Sequence, residues 1–63
     1  MVVVGDKVKF TMPEYIWKMA KERNPKVKRT IEGTVIEING DLAKVQQENG
    51  KVSVLRIVDL EEA

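Results

Sequence analysis

Two Asn-Gly dipeptides, Asn39-Gly40 and Asn49-Gly50, divide residues 33–55 into three short runs of β-forming residues. Asn-Gly is the strongest short-range hairpin signal, because a two-residue type I′ turn needs φ > 0 at both central positions. Three strands joined by two tight turns form an antiparallel meander. The spacing therefore predicts a mainly β chain. The flanking segments must complete the sheet and cover its apolar face.

The upstream segment supplies one more strand and one helix. Val2–Val4 begin an extended run, and Lys7-Val-Lys-Phe-Thr11 alternates, with Val8 and Phe10 on one face. Met12 precedes Pro13, which suits the first position of a helix because its missing N–H is not needed there. The helix is predicted over about Pro13–Arg23, with Glu14 favourably placed in its first turn. Ile16, Met19 and Ala20 follow helical spacing and are the expected buried stripe. Asn24-Pro25 stops it, since Pro25 disfavours helical geometry at Asn24. Lys26-Val-Lys-Arg29 is a basic connector.

The longest strand is predicted from Arg29 or Thr30 to Ile38. Ile31, Gly33 and Val35 share one face, but Ile36 and Ile38 fall on the other. Such a change of phase signals a bulge, and Gly33 nearby suits a bend. Leu42–Gln47 follows with Ala43 and Val45 inward, then Lys51–Leu55 with Val52 and Val54 inward. Arg56–Leu60 is a short helical turn and Glu61-Glu62 a last short strand. The expected core is Val8, Phe10, Ile31, Val35, Ile38, Val45, Val52, Val54 and Leu60, closed by Ile16 and Met19.

The opening Gly5-Asp6-Lys7-Val8 resembles that of SH3-like barrels. The run Gly33-Thr-Val-Ile-Glu-Ile-Asn-Gly-Asp-Leu-Ala-Lys-Val45 resembles the core of KOW-type barrels, and Val58-Asp59-Leu60 resembles the turn that ends such domains. The likeness covers nearly all of the chain outside the helix. Its layout is also similar to small bacterial, archaeal and phage proteins with a helix inserted after the first strand. The resemblance implies one SH3-like antiparallel small barrel over residues 1–63. It also implies a binding role, since KOW-type domains often contact RNA or protein. Two departures stand out: Lys28–Gly33 has a single glycine where KOW motifs are glycine-rich. In addition, Phe10, Tyr15 and Trp17 are too few aromatics for polyproline recognition.

Charge supplies the other clue. Residues 1–30 carry eight Lys/Arg and three Asp/Glu, a balance of +5; residues 31–63 carry three and seven, or −4; together they give the net charge of +1. The positive charge is densest at Lys18, Lys21, Arg23, Lys26, Lys28 and Arg29, with Glu22 alone against it. Such a cluster either neutralises phosphates or forms a solvated face. Trp17 beside it either stacks on a base or caps the core edge.

Catalysis has little material here. The chain has no histidine and no cysteine, which removes the commonest base, the commonest metal ligands and any disulfide. Ser53, Thr11, Thr30 and Thr34 have no histidine to activate them. Glu32, Glu37, Asp41 and Glu48 are scattered rather than paired, as a general acid/base site would require. No enzyme activity, cofactor or metal is expected. No apolar run approaches the roughly 18 residues of a membrane span, so the expected protein is soluble and cytoplasmic.

Two functions fit these residues. In one, the protein is a small binding module that meets DNA or RNA through Trp17, Lys18, Lys21, Arg23, Lys26, Lys28 and Arg29. In the other, it is a protein–protein adaptor or small structural subunit, of the kind encoded by phages or mobile elements, meeting an acidic protein. It is expected to be a monomer or a weak homodimer joining basic helix to acidic tail. Basic side chains on one continuous face favour nucleic acid; side chains paired with Glu22, Glu32 and Glu37 favour the adaptor.

Overall fold

The sequence alternation places Val8, Val35, Ala43 and Val45 on a single face, and these four residues form the buried core of the structure. The structure is a computed structural model that describes residues 1–63. Its elements are β1 (Lys7–Thr11), α1 (Glu14–Arg23), β2 (Thr30–Asn39), β3 (Leu42–Gln46), β4 (Val52–Arg56), the short 3₁₀ turn Ile57–Asp59 and β5 (Glu61–Glu62). All five strands belong to one antiparallel sheet in the order β4-β3-β2-β1-β5. The chain is thus mainly β with one helix inserted after the first strand. The sheet ends at β4 on one side and β5 on the other, so it is open and not a closed barrel. Closure would need β5 to pair with β4, and β5 pairs with β1 alone.

β2 carries the expected bulge, between Val35 and Glu37. Ile36 is the extra residue, and the insertion returns Ile38 to the core face, opposite Ala43. Gly33 has a second reason to be glycine. A Cβ there would lie 2.5 Å from the Gln46 carbonyl oxygen and 2.7 Å from Val45 Cγ1. β3 therefore lies too close to Gly33 for any side chain there.

Both Asn-Gly sites turn the chain, but neither forms a type I′ turn, because only glycines have positive φ. In the first hairpin Asn39 is the last residue of β2 and pairs with Leu42. The loop is Gly40-Asp41, with Gly40 at φ 64°, the pattern of a II′ turn. In the second, Gly50 N–H donates to the Gln47 carbonyl and Gln47 N–H donates to the Lys51 carbonyl. Glu48-Asn49-Gly50 is a three-residue loop with its glycine in the left-handed region.

The second loop sets the register of β4 and corrects the expected core. With Gln47 facing Lys51, Val45 faces Ser53 and Ala43 faces Leu55. Ser53 and Leu55 therefore point inward, while Val52 and Val54 are 48% and 56% exposed. The inward Ser53 hydroxyl is satisfied by Gln47 Nε2 at 3.2 Å. Leu55, Ile57 and Leu60 supply the apolar surface instead, packing with Val2 and Ile38 on the core. Phe10 and Ile31 face each other across β1 and β2 and are half-buried rather than central. Val2–Val4 is not a strand: Val3 and Asp6 close a turn, with Val3 N–H donating to Asp6 Oδ2.

The helix differs from expectation in its orientation. Pro13 is its N-cap rather than its first residue, with extended φ −55° and ψ 150°. Ile16 and Met19 are 39% and 66% exposed, so of the predicted stripe only Ala20 turns inward. The inward residues are Trp17 and Ala20, both half-buried. The Trp17 ring is the largest side chain that α1 turns inward, and Lys21 and Arg29 lie over it.

Candidate nucleic-acid interface

The corner between β1, α1 and β2 gathers the basic segment. Asn24 ends the helix with its N–H donating to the Ala20 carbonyl, and its Oδ1 accepts the Lys26 N–H at 3.2 Å. Val27 N–H returns to the Asn24 carbonyl at 3.0 Å. The connector is thus a pinned turn, and it leads the chain back to the start of β2. There Met12, buried at the corner, exchanges two bonds with Arg29.

Trp17 lies at the centre of this corner. Lys21 Nζ sits 4.4 Å from the centroid of its ring and the Arg29 guanidinium carbon 5.6 Å from it. Both distances are within cation–π range. The indole Nε1 is buried without a hydrogen-bond partner. Its N–H is therefore not in water, as the edge-capping reading expected. The ring is a platform for two cations rather than a free stacking surface.

The remaining cations divide sharply. Lys18 pairs with Glu14 one helical turn away at 3.3 Å. Outside the cluster, Lys44 pairs with Glu37, Lys9 with Glu61 and Arg56 with Asp59. Lys21, Arg23, Lys26, Lys28 and Arg29 have no acidic partner, and neither Glu22 nor Glu32 is in an ion pair.

An open groove runs from Trp17 along the connector to the β3–β4 loop. Its charged walls are Lys7, Lys28, Arg29 and Lys51, with Glu32 and Glu48 opposing them. None of these four cations is in an ion pair. The groove therefore takes in Trp17, Lys28 and Arg29 of the expected cluster, while Lys18, Lys21, Arg23 and Lys26 lie outside its walls. Sequence inspection did not single out Lys7 and Lys51. They arrive through register: Lys7 pairs with Thr34, Thr34 with Gln46 and Gln46 with Val52, next to Lys51. No local signal in the sequence marks that row.

No group of three or more acidic side chains is placed to hold a metal ion. No helix is long and apolar enough to cross a membrane. Comparison with protein-family models, with curated proteins and with solved structures finds no match to this chain.

Proposed function

We propose that this protein is a small non-enzymatic module that binds the phosphate backbone of a nucleic acid along the groove beside the connector. One observation carries this reading. The cations of the connector and groove lack acidic partners, whereas those elsewhere on the sheet are mostly neutralised. Unpaired lysines and arginines lose no ion pair when they meet phosphate, and each contact releases a condensed counterion. The groove offers charge and amide groups, not a free aromatic face. Trp17 is occupied by Lys21 and Arg29, so base stacking of the single-strand type has no platform here. Duplex, read by its backbone and without sequence preference, is the ligand this surface suits best.

The test is a titration of labelled duplex and single-stranded oligonucleotides at two salt concentrations. Binding should favour duplex and fall steeply between 50 mM and 200 mM salt, as counterion release requires. The triple change Lys26→Glu, Lys28→Glu and Lys51→Glu should abolish it with an unchanged circular dichroism spectrum. Absence of binding by the native chain at low salt would refute the reading. A second reading, the protein adaptor, is favoured by Tyr15, Ile16 and Met19. These leave an exposed apolar stripe on α1, with Tyr15 at 68% exposure.

A further inference from the structure

The two ends of the open sheet are built differently. β5 is two residues long, carries two glutamates, and has Glu61 within 3.8 Å of Lys9. Short length and charge are standard protection for a sheet edge. β4 has neither. Its residues Val52-Ser-Val-Leu-Arg56 contain no proline and one terminal charge, and its register against β3 is unbroken.

The backbone of β4 has an unused side. Gln47 bonds Lys51 and Asp41 bonds Ile57, and the register between them is continuous. Antiparallel bonding alternates, so Ser53 and Leu55 direct their N–H and C=O groups to β3. Val52 and Val54 direct theirs outward. No backbone or side-chain group of the chain bonds these outward N–H and C=O groups. The side chains of Val52 and Val54 stand exposed beside them.

We infer that β4 is a self-association edge, pairing antiparallel with β4 of a second copy about a two-fold axis at Val54. An antiparallel strand pair centred on one residue is its own complement, as a two-fold interface requires. Centring on Val54 places Val54 against Val54 and Val52 against Arg56, all three with outward backbone groups. Charge permits it. Lys44 beside Val54 is neutralised by Glu37 at 3.3 Å, and Arg56 by Asp59 at 3.0 Å. No uncompensated like charges meet across the axis. The surface involved is small, so the dimer is weak and reversible.

Sedimentation equilibrium across about 10 μM to 1 mM tests it, a range that brackets weak association. The expected result is a rise from 7.2 kDa toward twice that mass. The amides of Val52 and Val54 should become protected from hydrogen exchange in step with it. Val54→Lys places a charge on an already exposed side chain, leaving the monomer folded, and should weaken the dimer at least about tenfold through like-charge contact at the axis. Val54→Thr, which keeps the branched side chain, should retain it. Met19→Asp on the exposed helix stripe should leave association unchanged. A native chain that stays monomeric at 1 mM overturns the inference. So does a dimer that survives Val54→Lys, or one that Met19→Asp dissolves.

Discussion

Met12 and Arg29 hold each other from both directions. The Met12 N–H donates to the Arg29 carbonyl at 2.9 Å, and Arg29 Nε donates to the Met12 carbonyl at 2.9 Å. This double link joins the end of β1 to the start of β2, across the whole length of the inserted helix. Arg29 is therefore a structural residue as well as a groove cation. Charge reversal at Arg29 would disturb the corner and confuse a binding test, which is why Lys26, Lys28 and Lys51 are the informative positions.

Arg29→Lys separates these roles. Lysine keeps the charge but has no Nε–H at that position to reach the Met12 carbonyl. The expected cost is about 1.5 kcal/mol of unfolding free energy, the low end for a hydrogen bond from a charged donor, because the bond is only part-buried. Oligonucleotide affinity measured below the melting transition should change little. Thermal denaturation and the binding titration together check both halves.

Gly33→Ala tests the close approach of β2 and β3. The added methyl would meet the Gln46 carbonyl at 2.5 Å, and backbone cannot swing aside as a long side chain can. Overpacking of this kind costs about 1–3 kcal/mol. A lower urea midpoint with an unchanged slope is the expected signature. An unchanged midpoint would mean that β3 does not lie against Gly33.

The helix should depend on Trp17 and not on Ile16. A ten-residue helix is marginal alone in water, and none of α1 is fully buried. Trp17→Ala removes the ring that docks it and the seat of Lys21 and Arg29. The 222 nm helical signal should fall while the β signal persists. Ile16→Asp, on the exposed stripe, should leave both signals intact. Loss of helix in the Ile16 variant would restore the orientation that helical spacing alone suggests.

The element order, the bulge in β2, the final short turn and β5 are legible in local patterns of the sequence. Each follows from a few neighbouring residues: Asn-Gly pairs, the phase change at Ile36, Asn24-Pro25. What escaped was set at longer range. Helix rotation turns Trp17 inward and leaves Ile16 and Met19 exposed, an outcome that periodicity alone does not rank. Barrel closure needs the two edge strands β4 and β5 to meet, which no local pattern decides. Of the candidate site, the connector cations were visible as a run. Lys7 and Lys51 join them only because three strand pairings align Lys7, Thr34, Gln46 and Val52.

The register of β4 gives the sharpest test. In Val52-Ser-Val-Leu-Arg56 the alternation of valines argues for Val52 and Val54 inward. The three-residue loop at Glu48–Gly50 instead fixes Gln47 opposite Lys51, and a one-residue shift exchanges the two faces. Leu55 then packs on the core with Ile57 and Leu60, while Val54 lies 56% exposed beside Lys44. Leu55→Ala should cost about 2–3 kcal/mol, the low end for truncating a core leucine, because Leu55 is only part-buried. Val54→Ala should stay within about 0.5 kcal/mol at protein concentrations too low for strand pairing between copies. Chemical denaturation of the two variants at low micromolar concentration compares them directly. If Val54→Ala proves the more damaging, the strand is paired one residue out of step with this structure. The outward backbone groups assigned to Val52 and Val54 would then belong to Ser53 and Leu55.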